Sequence, residues 1–459
     1  MRIAWFSPLP PNHSGIAAYS AEVLPLLASH QVEAFVDDTG GTEAVGLAAT
    51  VPGVSVRGAY EFSWRHAVRP FDVTVYHLGN ESCHDYMWPY LVRHPGLVVL
   101  HDAQLHQSRA QALIRQGRPD AFRAEFAYCH PSVPLLMADF LLAGLGAAVC
   151  YFWPMNRVPI QAAKMVAVHS EWLAQDLRDQ HPGADIRHVR MGVPDPLAAG
   201  AAAARDVRRR HGIPDEAIVF GSFGRVTPEK GLGAVLKALS QVASSLPAVR
   251  LLVVGEGSGH FDLMAQAQDL GVADRVIATG YVTTDALPEY LAAVDVCLNL
   301  RWPTGRETSA AWLRCLAAGK PTVVTDLVHL TDVPSLDLRT TAVACAPAGA
   351  QEPVCVRIEL IDDVNMLRLA LRRLAEDAAL RGRLGSAARR YWETRCTPEL
   401  MAEDYEGILA AAMCAADPVL PAGWPAHLRA DGSSRARTLA SEVGVPYPLE
   451  RAGDGVANA

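Results

Sequence analysis

Short apolar runs bounded by turn residues recur along this chain, and between them apolar side chains return every three or four positions. Ile3–Ser7 is the first run and predicts a strand. After the turn-rich stretch Pro8–Gly15, the residues Ile16, Tyr19, Val23, Leu24 and Leu27 share one face of a predicted helix, and Pro25 inside it predicts a kink or an early stop. Val73–Tyr76, Leu97–Leu100 and Val166–Val168 read as further buried strands. The pattern breaks near Pro194-Asp195-Pro196, where Ala198–Ala204 reads as a small-residue linker and Arg205–Arg210 as a charged helix start. Alternation then resumes. Strands are expected at Ile218–Phe223, Leu251–Val254, Val276–Ala278, Val294–Leu298 and Thr322–Thr325, with a helix over Gly231–Leu246. Helices should fill Val364–Cys396 and Glu399–Met413.

Strands alternating with helices argue for parallel sheets covered on both faces. The expected fold is therefore α/β with two doubly wound, Rossmann-like domains, 1–196 and 205–396, facing each other across a cleft. A helix at 399–413 should pack back, and the Pro-, Gly-, Ala- and Ser-rich tail 415–459 reads as poorly ordered or draped on the surface. Ligands of open α/β sheets bind beyond the carboxyl ends of the strands, which here means in that cleft.

Composition narrows the picture. Half of the 459 residues are hydrophobic and 20% are charged, which is a globular composition with room for two domains. A net charge of −8 argues against a dominant nucleic-acid surface. Met1–Ser7 runs directly into a strand without the apolar core of a signal peptide. The nine cysteines are scattered without a C-x-x-C pair, which fits a reducing cytoplasm and offers no zinc framework. Pro134–Trp153 is almost wholly apolar, but Asp139 interrupts it and leaves less than the ~20 residues a bilayer crossing needs. It reads either as packed helices under the core or as a greasy acceptor groove or peripheral membrane contact.

Candidate chemistry follows the strands. Glu307, Thr308 and Ser309 place a carboxylate and two hydroxyls at the expected first turn of a helix that stops at Gly319, where N–H groups and helix dipole suit a phosphate. Simple N-capping would select the same residues. Gly224-Arg225 and Lys230-Gly231 put two cations on the loop leaving a strand, able to neutralise a diphosphate or merely to solvate the loop. Gly15 ends the first loop, where glycine allows close approach of a phosphate or simply makes a turn. His101-Asp102 follows the Leu97–Leu100 strand: the imidazole can bond a donor hydroxyl or the leaving oxygen, or be structural, and Asp102 can orient His101 or an acceptor hydroxyl. His77 and Asn80 belong to a second polar cluster after a strand and are candidates for the acceptor side. Gly255 opens a glycine cluster, weak by itself as a nucleotide signal because the longer G-x-G-x-x-G pattern fails at His260.

Phe223–Leu232 together with Arg306–Asp326, in this order and separation, resembles the retaining nucleotide-sugar glycosyltransferases of family 4, which have the two-domain GT-B fold. The resemblance covers about residues 1 to 413. It implies that Arg225 and Lys230, flanked by Gly224 and Gly231, stabilise the departing diphosphate, that the Gly15 loop faces it from across the cleft, and that Glu307 lies by the donor sugar. It also implies that His101 sits near the reacting sugar, that Gly255 borders the nucleotide and that Tyr281 and Val282 lie where the base edge is read. The chain departs from the family's E-x7-E pattern. Counting from Glu307 gives Cys315, whereas anchoring on Ala318–Pro321 gives Arg314 and shifts Glu307 by one.

The implied activity is transfer of a sugar from a nucleotide-diphosphate sugar to a hydroxyl of a glycan or polyprenyl-linked acceptor, with retention, in surface or exopolysaccharide biosynthesis. No cofactor and no metal ion are expected, the nucleotide sugar being a co-substrate. The expected location is cytoplasmic, at the inner face of the membrane if the apolar segment makes contact there, with no nucleic acid as partner. Two alternatives remain: a non-catalytic sugar-nucleotide binder, favoured by the missing second glutamate, and a nucleotide-sugar epimerase, disfavoured by the His cluster and Glu307.

Overall fold

A computed structural model of the chain describes residues 1–37, 51, 53–145, 150–196, 200–327, 333–344, 352–429 and 433–445. Runs whose side chains are buried on both faces fit only a parallel sheet with helices on each side, and two such sheets form. The first contains β1 (Arg2–Phe6), β2 (Gln31–Val36), β3 (Val54–Gly58), β4 (Val73–Leu78), β5 (Leu97–Leu100), β6 (Met165–Val168) and β7 (Ile186–His188). Its order is β3-β2-β1-β4-β5-β6-β7, parallel throughout. The second contains β8 (Ile218–Phe223), β9 (Val249–Val254), β10 (Val276–Ala278), β11 (Val296–Asn299), β12 (Thr322–Thr325), β13 (Ser335–Leu336), β14 (Val343–Ala344) and β15 (Cys355–Ile358). Its order is β10-β9-β8-β11-β12-β15-β13-β14, with only β13 and β14 antiparallel. In both sheets the strand order reverses beside the first strand, between β1 and β4 and between β8 and β11. These switch points are where an open α/β sheet leaves a crevice for a ligand.

The expected strands are present, and β2, β3, β7 and β13 to β15 are added to them. β2 carries Glu33 in its middle, a charge that breaks the apolar run but is buried in an ion pair with Arg2 (2.6 Å) and reached by Arg65 (3.2 Å). The helix Gly15–Val23, capped by the Ser14 hydroxyl, gives way at Pro25 to a 3-10 turn over Leu24–Leu27. The expected linker is shorter than its composition suggested: 197–199 lie outside the described residues, and the alanines that follow already belong to a helix, Ala201–Arg210. Asp377 divides the long C-terminal helical stretch into Asp363–Glu376 and Ala378–Arg395, capping the second through Leu380 N–H at 2.8 Å.

The last helices join the domains. Pro398–Cys414 lies in one core with Ile3, Trp5 and Val75 of the first sheet and with Trp312 and Leu316 of the second half. The Tyr405 and Tyr19 hydroxyls bond at 2.7 Å, Arg190 pairs with Asp404, and Trp392 Nε1–H donates to the Val193 carbonyl at 3.1 Å. Chain crossing is tight here: a Cβ on Gly192 would lie 2.4 Å from the Thr397 carbonyl oxygen.

Two segments that the sequence left open take the following forms. Part of the 415–459 tail is anchored: Trp424 is buried among side chains of the first domain, and His427 Nε2 meets Glu125 Oε1 at 2.7 Å. A large aromatic ring supplies the burial that composition hid. The helix Ser433–Glu442 follows, and residues 446–459 lie outside the described residues. The apolar 134–153 segment contains a short α-helix, Leu136–Leu142, which buries Ala138 against Phe122 and Phe126 and leaves Leu136 and Phe140 exposed; residues 146–149 lie outside the described residues. Among the described residues no helix is long and apolar enough to cross a membrane.

Candidate active site in the cleft

On the C-terminal side, glycines let two loops meet. Gly224 follows β8 with φ +98°, and a Cβ there would sit 3.3 Å from Lys230 Nζ. Gly255 follows β9 with φ +153°, and its Cβ would fall 2.1 Å from the Gly224 carbonyl oxygen. The backbone geometry alone therefore requires glycine at 255. A 3-10 turn over Pro228–Lys230 ends at Gly231 (φ +64°) and folds Lys230 back, so that Nζ donates to the Phe223 carbonyl at 3.1 Å. Lys230 lines a pocket with Asn299, Arg301, Glu307, Ser309 and Trp312. Burial, and then the positive charge of Arg301, lower its pKa to about 7. Arg225 stays exposed and reaches toward Glu81 of the facing domain at 3.9 Å.

Glu307 and Thr308 precede their helix rather than occupying its first turn. The helix runs Ala310–Ala317 and Ser309 is its N-cap, the hydroxyl accepting from Trp312 N–H at 3.3 Å. Arg306, at φ +61°, breaks helical geometry just before Glu307. The helix stops at Gly319 as expected, at φ +62°. Glu307 is held from two sides: Arg301 Nε lies 2.5 Å from Oε1, and the Thr304 hydroxyl donates to Oε2 at 3.0 Å. Thr308 is turned to the other domain, its hydroxyl donating to the His169 carbonyl at 3.3 Å. At the departed glutamate position, Arg314 forms an ion pair with Glu22 of the facing domain, and Cys315 is fully buried against Cys297.

The N-terminal side is closed on itself. The Val189 carbonyl can only accept, so His169 Nδ1–H donates to it at 3.1 Å. Burial holds the histidines neutral, and the tautomers then follow one from another. His169 Nε2 accepts from His101 Nδ1–H at 3.3 Å, and His101 Nε2 accepts from His77 Nδ1–H at 3.0 Å. His77 Nε2 ends the chain, buried and without a partner among the described residues. His101 and His77 have pKa values well below the ordinary 6.5, first through burial and then through neighbouring histidines; His169 is lowered to about 4. Both ring nitrogens of His101 are thus engaged within its own domain in this arrangement.

Asp102 stands at the seam. Its Oδ2 accepts from Asn80 N–H at 2.8 Å, while the Asn80 side-chain Oδ1 accepts from Ser108 N–H at 3.0 Å. The loop before Glu307 docks on this segment, Ala103 N–H donating to the Gly305 carbonyl at 2.9 Å. A Cβ on Gly305 would lie 3.0 Å from Asp102 Oδ1 and 3.2 Å from Glu307 Oε2, so two carboxylates from opposite domains flank one glycine. Burial, and then the charge of Glu307, push Asp102 up to about 7. Gly15 begins its helix with open space around its α-carbon, and Tyr281 stacks on His13 across the cleft with ring centroids 4.2 Å apart. Val282 is half-buried beside the β10 end of the second domain.

The structure therefore brings Lys230, Glu307 and Ser309 together, with Asp102 across Gly305, and sets Arg225 and Tyr281 at the cleft surface. The sequence reading missed Arg301, and it set His169 aside as non-catalytic near the inter-domain hinge without linking it to His101. Arg301 stands outside both motif stretches, and His169 is 68 residues from its partner His101.

Comparison with known proteins agrees with this architecture. HepE of Anabaena, solved in complex with UDP and glucose, aligns over 90% of this chain and 100% of its own at 16% identity, with a TM-score of 0.57. WaaG, a glycosyltransferase involved in lipopolysaccharide biosynthesis, aligns over 88% and 99% at 16% identity, with a TM-score of 0.60. The fold is that of the GT-B glycosyltransferases. Residues 217–352 match the family Glycosyl transferases group 1. The 2-deoxystreptamine glucosyltransferase of Streptomyces kanamyceticus is 28% identical over 171 residues, 37% of this chain and 43% of that protein. The D-inositol 3-phosphate glycosyltransferase of Segniliparus rotundus is 41% identical over 99 residues, 21% of this chain and 20% of that protein. The matched stretches thus span less than half the length of these two relatives.

Proposed function

We propose that this chain is a retaining glycosyltransferase that moves a sugar from a nucleoside-diphosphate sugar to the hydroxyl of a glycan or lipid-linked acceptor in surface or exopolysaccharide biosynthesis. The observation that carries the reading is the convergence of Lys230, Glu307 and the Ser309-capped helix start in one pocket, with Arg225 exposed on the same loop as Lys230. Cations and helix N–H groups suit a diphosphate leaving group, and a carboxylate beside them suits sugar hydroxyls. The bond between the anomeric carbon and the diphosphate oxygen breaks, the acceptor oxygen bonds the same face of that carbon, and the acceptor proton passes to the departing phosphate. Lys230 and Arg225 hold the charge of the leaving group, which removes the need for a metal ion. Glu307 holds donor-sugar hydroxyls. Asp102, titrating near neutrality at the seam, receives the acceptor hydroxyl. His77, His101 and Asn80 build the wall behind it.

The test is calorimetric binding of UDP, GDP, ADP and dTDP to the wild type and to Arg225→Ala. One nucleotide should bind the wild type and bind Arg225→Ala at least about tenfold more weakly, the usual cost of a charged hydrogen bond. A folded wild type that binds none of the four contradicts the reading and favours a degenerate relative, for which the Arg314–Glu22 pair at the expected glutamate position is the supporting observation.

A further inference from the structure

Arg301 lies two residues past the end of β11, and the Thr325 hydroxyl, at the end of the neighbouring β12, accepts its backbone N–H at 3.0 Å. Two adjacent strands of the sheet therefore fix where its side chain starts. That side chain enters the pocket already lined by Lys230, and its Nε is 2.5 Å from Glu307 Oε1. The Arg301 side chain remains 30% exposed, against 16% for that of Glu307, so the arginine is reachable while its carboxylate partner is largely covered. Asn299, two residues earlier, lines the same pocket with its side-chain oxygen buried and without a hydrogen-bond partner among the described residues. A buried acceptor of this kind calls for a hydrogen-bond donor, such as a hydroxyl of a bound sugar or ribose.

We propose that Arg301 is a positioning residue of this site, fixing the Glu307 carboxylate from one side while adding a cation beside Lys230 for the diphosphate of the donor. The assignment rests on the donor-site reading above and deepens it. A carboxylate left beside Lys230 without Arg301 would swing onto the ammonium and away from the sugar. With Arg301 and the Thr304 hydroxyl each holding one oxygen, Glu307 has a single orientation, at the seam with Asp102. A guanidinium is suited to this role because its several N–H groups can hold a carboxylate and still face a phosphate, which a lysine ammonium does less well. Arg301 also explains part of the environment of Lys230, whose protonation its charge opposes. A diphosphate bound to both cations reverses that opposition, so binding should be coupled to proton uptake.

Full-length wild type, Arg301→Gln and Arg301→Lys are titrated with UDP, GDP, ADP and dTDP across the pH range around neutrality, each checked by circular dichroism and thermal melting. Turnover is then followed as nucleoside diphosphate released from the matching sugar nucleotide. Arg301→Gln should bind about tenfold or more weakly, and its affinity should persist to higher pH because the charge opposing Lys230 protonation is gone. Arg301→Lys should recover the affinity while kcat stays low, since the ammonium cannot reproduce the hold on Glu307. A purely structural arginine would move neither the pH dependence nor kcat against KM in this way. If a folded Arg301→Gln binds like wild type with an unchanged pH dependence, or Arg301→Lys keeps wild-type kcat, the role of Arg301 is overturned and the donor site stands. If folded wild type binds none of the four nucleotides, the donor site fails and the role of Arg301 with it.

Discussion

The two walls of the cleft are built on the same plan and finished in opposite ways. Each uses the carboxyl ends of a parallel sheet, the C-terminal wall beside the β8/β11 switch point and the N-terminal wall along β4, β5 and β6. On the C-terminal wall Lys230 bonds a backbone carbonyl, Arg225 is exposed, and Arg301 and Glu307 hold one another at the pocket edge. On the N-terminal wall the polar groups satisfy each other in series, from the Val189 carbonyl through His169, His101 and His77, with Asp102 tied to Asn80. The first wall keeps charge available for an anion, and the second spends its polar groups on a fixed, neutral surface. The difference teaches that ligand charge should be read on one wall and ligand shape on the other.

The largest effect should come from Lys230→Ala. Removing a half-buried cation from a diphosphate site costs on the order of 10² or more in affinity or turnover, measurable by calorimetry and by nucleotide release. An unchanged affinity would erase the contrast between the walls.

His101→Ala should act on the other wall and on stability. It strands the His77 Nδ1–H donor and the His169 Nε2 acceptor in the interior, at about 1–3 kcal/mol each. Urea unfolding should show the loss, while nucleotide affinity stays close to wild type. A parallel loss of affinity in a protein that melts normally would put His101 on the donor after all.

The walls should also respond to pH in opposite directions. The folded pKa of His169 is about 4, and those of His101 and His77 lie well below 6.5, so the fold prefers the neutral rings. Their contribution to stability is complete above the unfolded value of about 6.5 and is lost as pH falls toward the folded values, by up to about 1.4 kcal/mol per unit for each ring. Lys230 loses its charge as pH rises through about 7, so diphosphate affinity should fall on the alkaline side. Melting temperature and calorimetric affinity, followed over the same buffers, separate the two limbs.

The smallest effect belongs to the pair across the cleft mouth. Arg225 and Glu81 are both exposed and 3.9 Å apart, a geometry worth about 0–1 kcal/mol. Glu81→Gln should leave melting unchanged and improve nucleotide affinity by a few-fold at most, because a competing carboxylate is gone.

Much of this was legible in the chain. The buried strands and the Gly319 stop follow from local pattern, and Gly224, Lys230 and Glu307 stand in motifs. What the pattern could not carry was anything fixed by tertiary partners. Glu33 hides a strand because its charge is neutralised by Arg2 and Arg65 from elsewhere in the domain. Glu307 falls before its helix because Arg306 takes a left-handed conformation, which no composition rule assigns to an arginine. Arg301 stands outside the motifs and acquires meaning only beside Lys230 and Glu307. The histidine chain joins residues from the ends of three strands, and Trp424 anchors a tail whose composition reads as loose.

The most direct measurement is a crystal structure of the protein with the nucleoside diphosphate that calorimetry selects. The account predicts the phosphates against Lys230, Arg225, Arg301 and the start of the Ala310–Ala317 helix, with the His77–His101–His169 chain unaltered. A nucleotide held on the histidine wall, or phosphates away from Lys230, would contradict it.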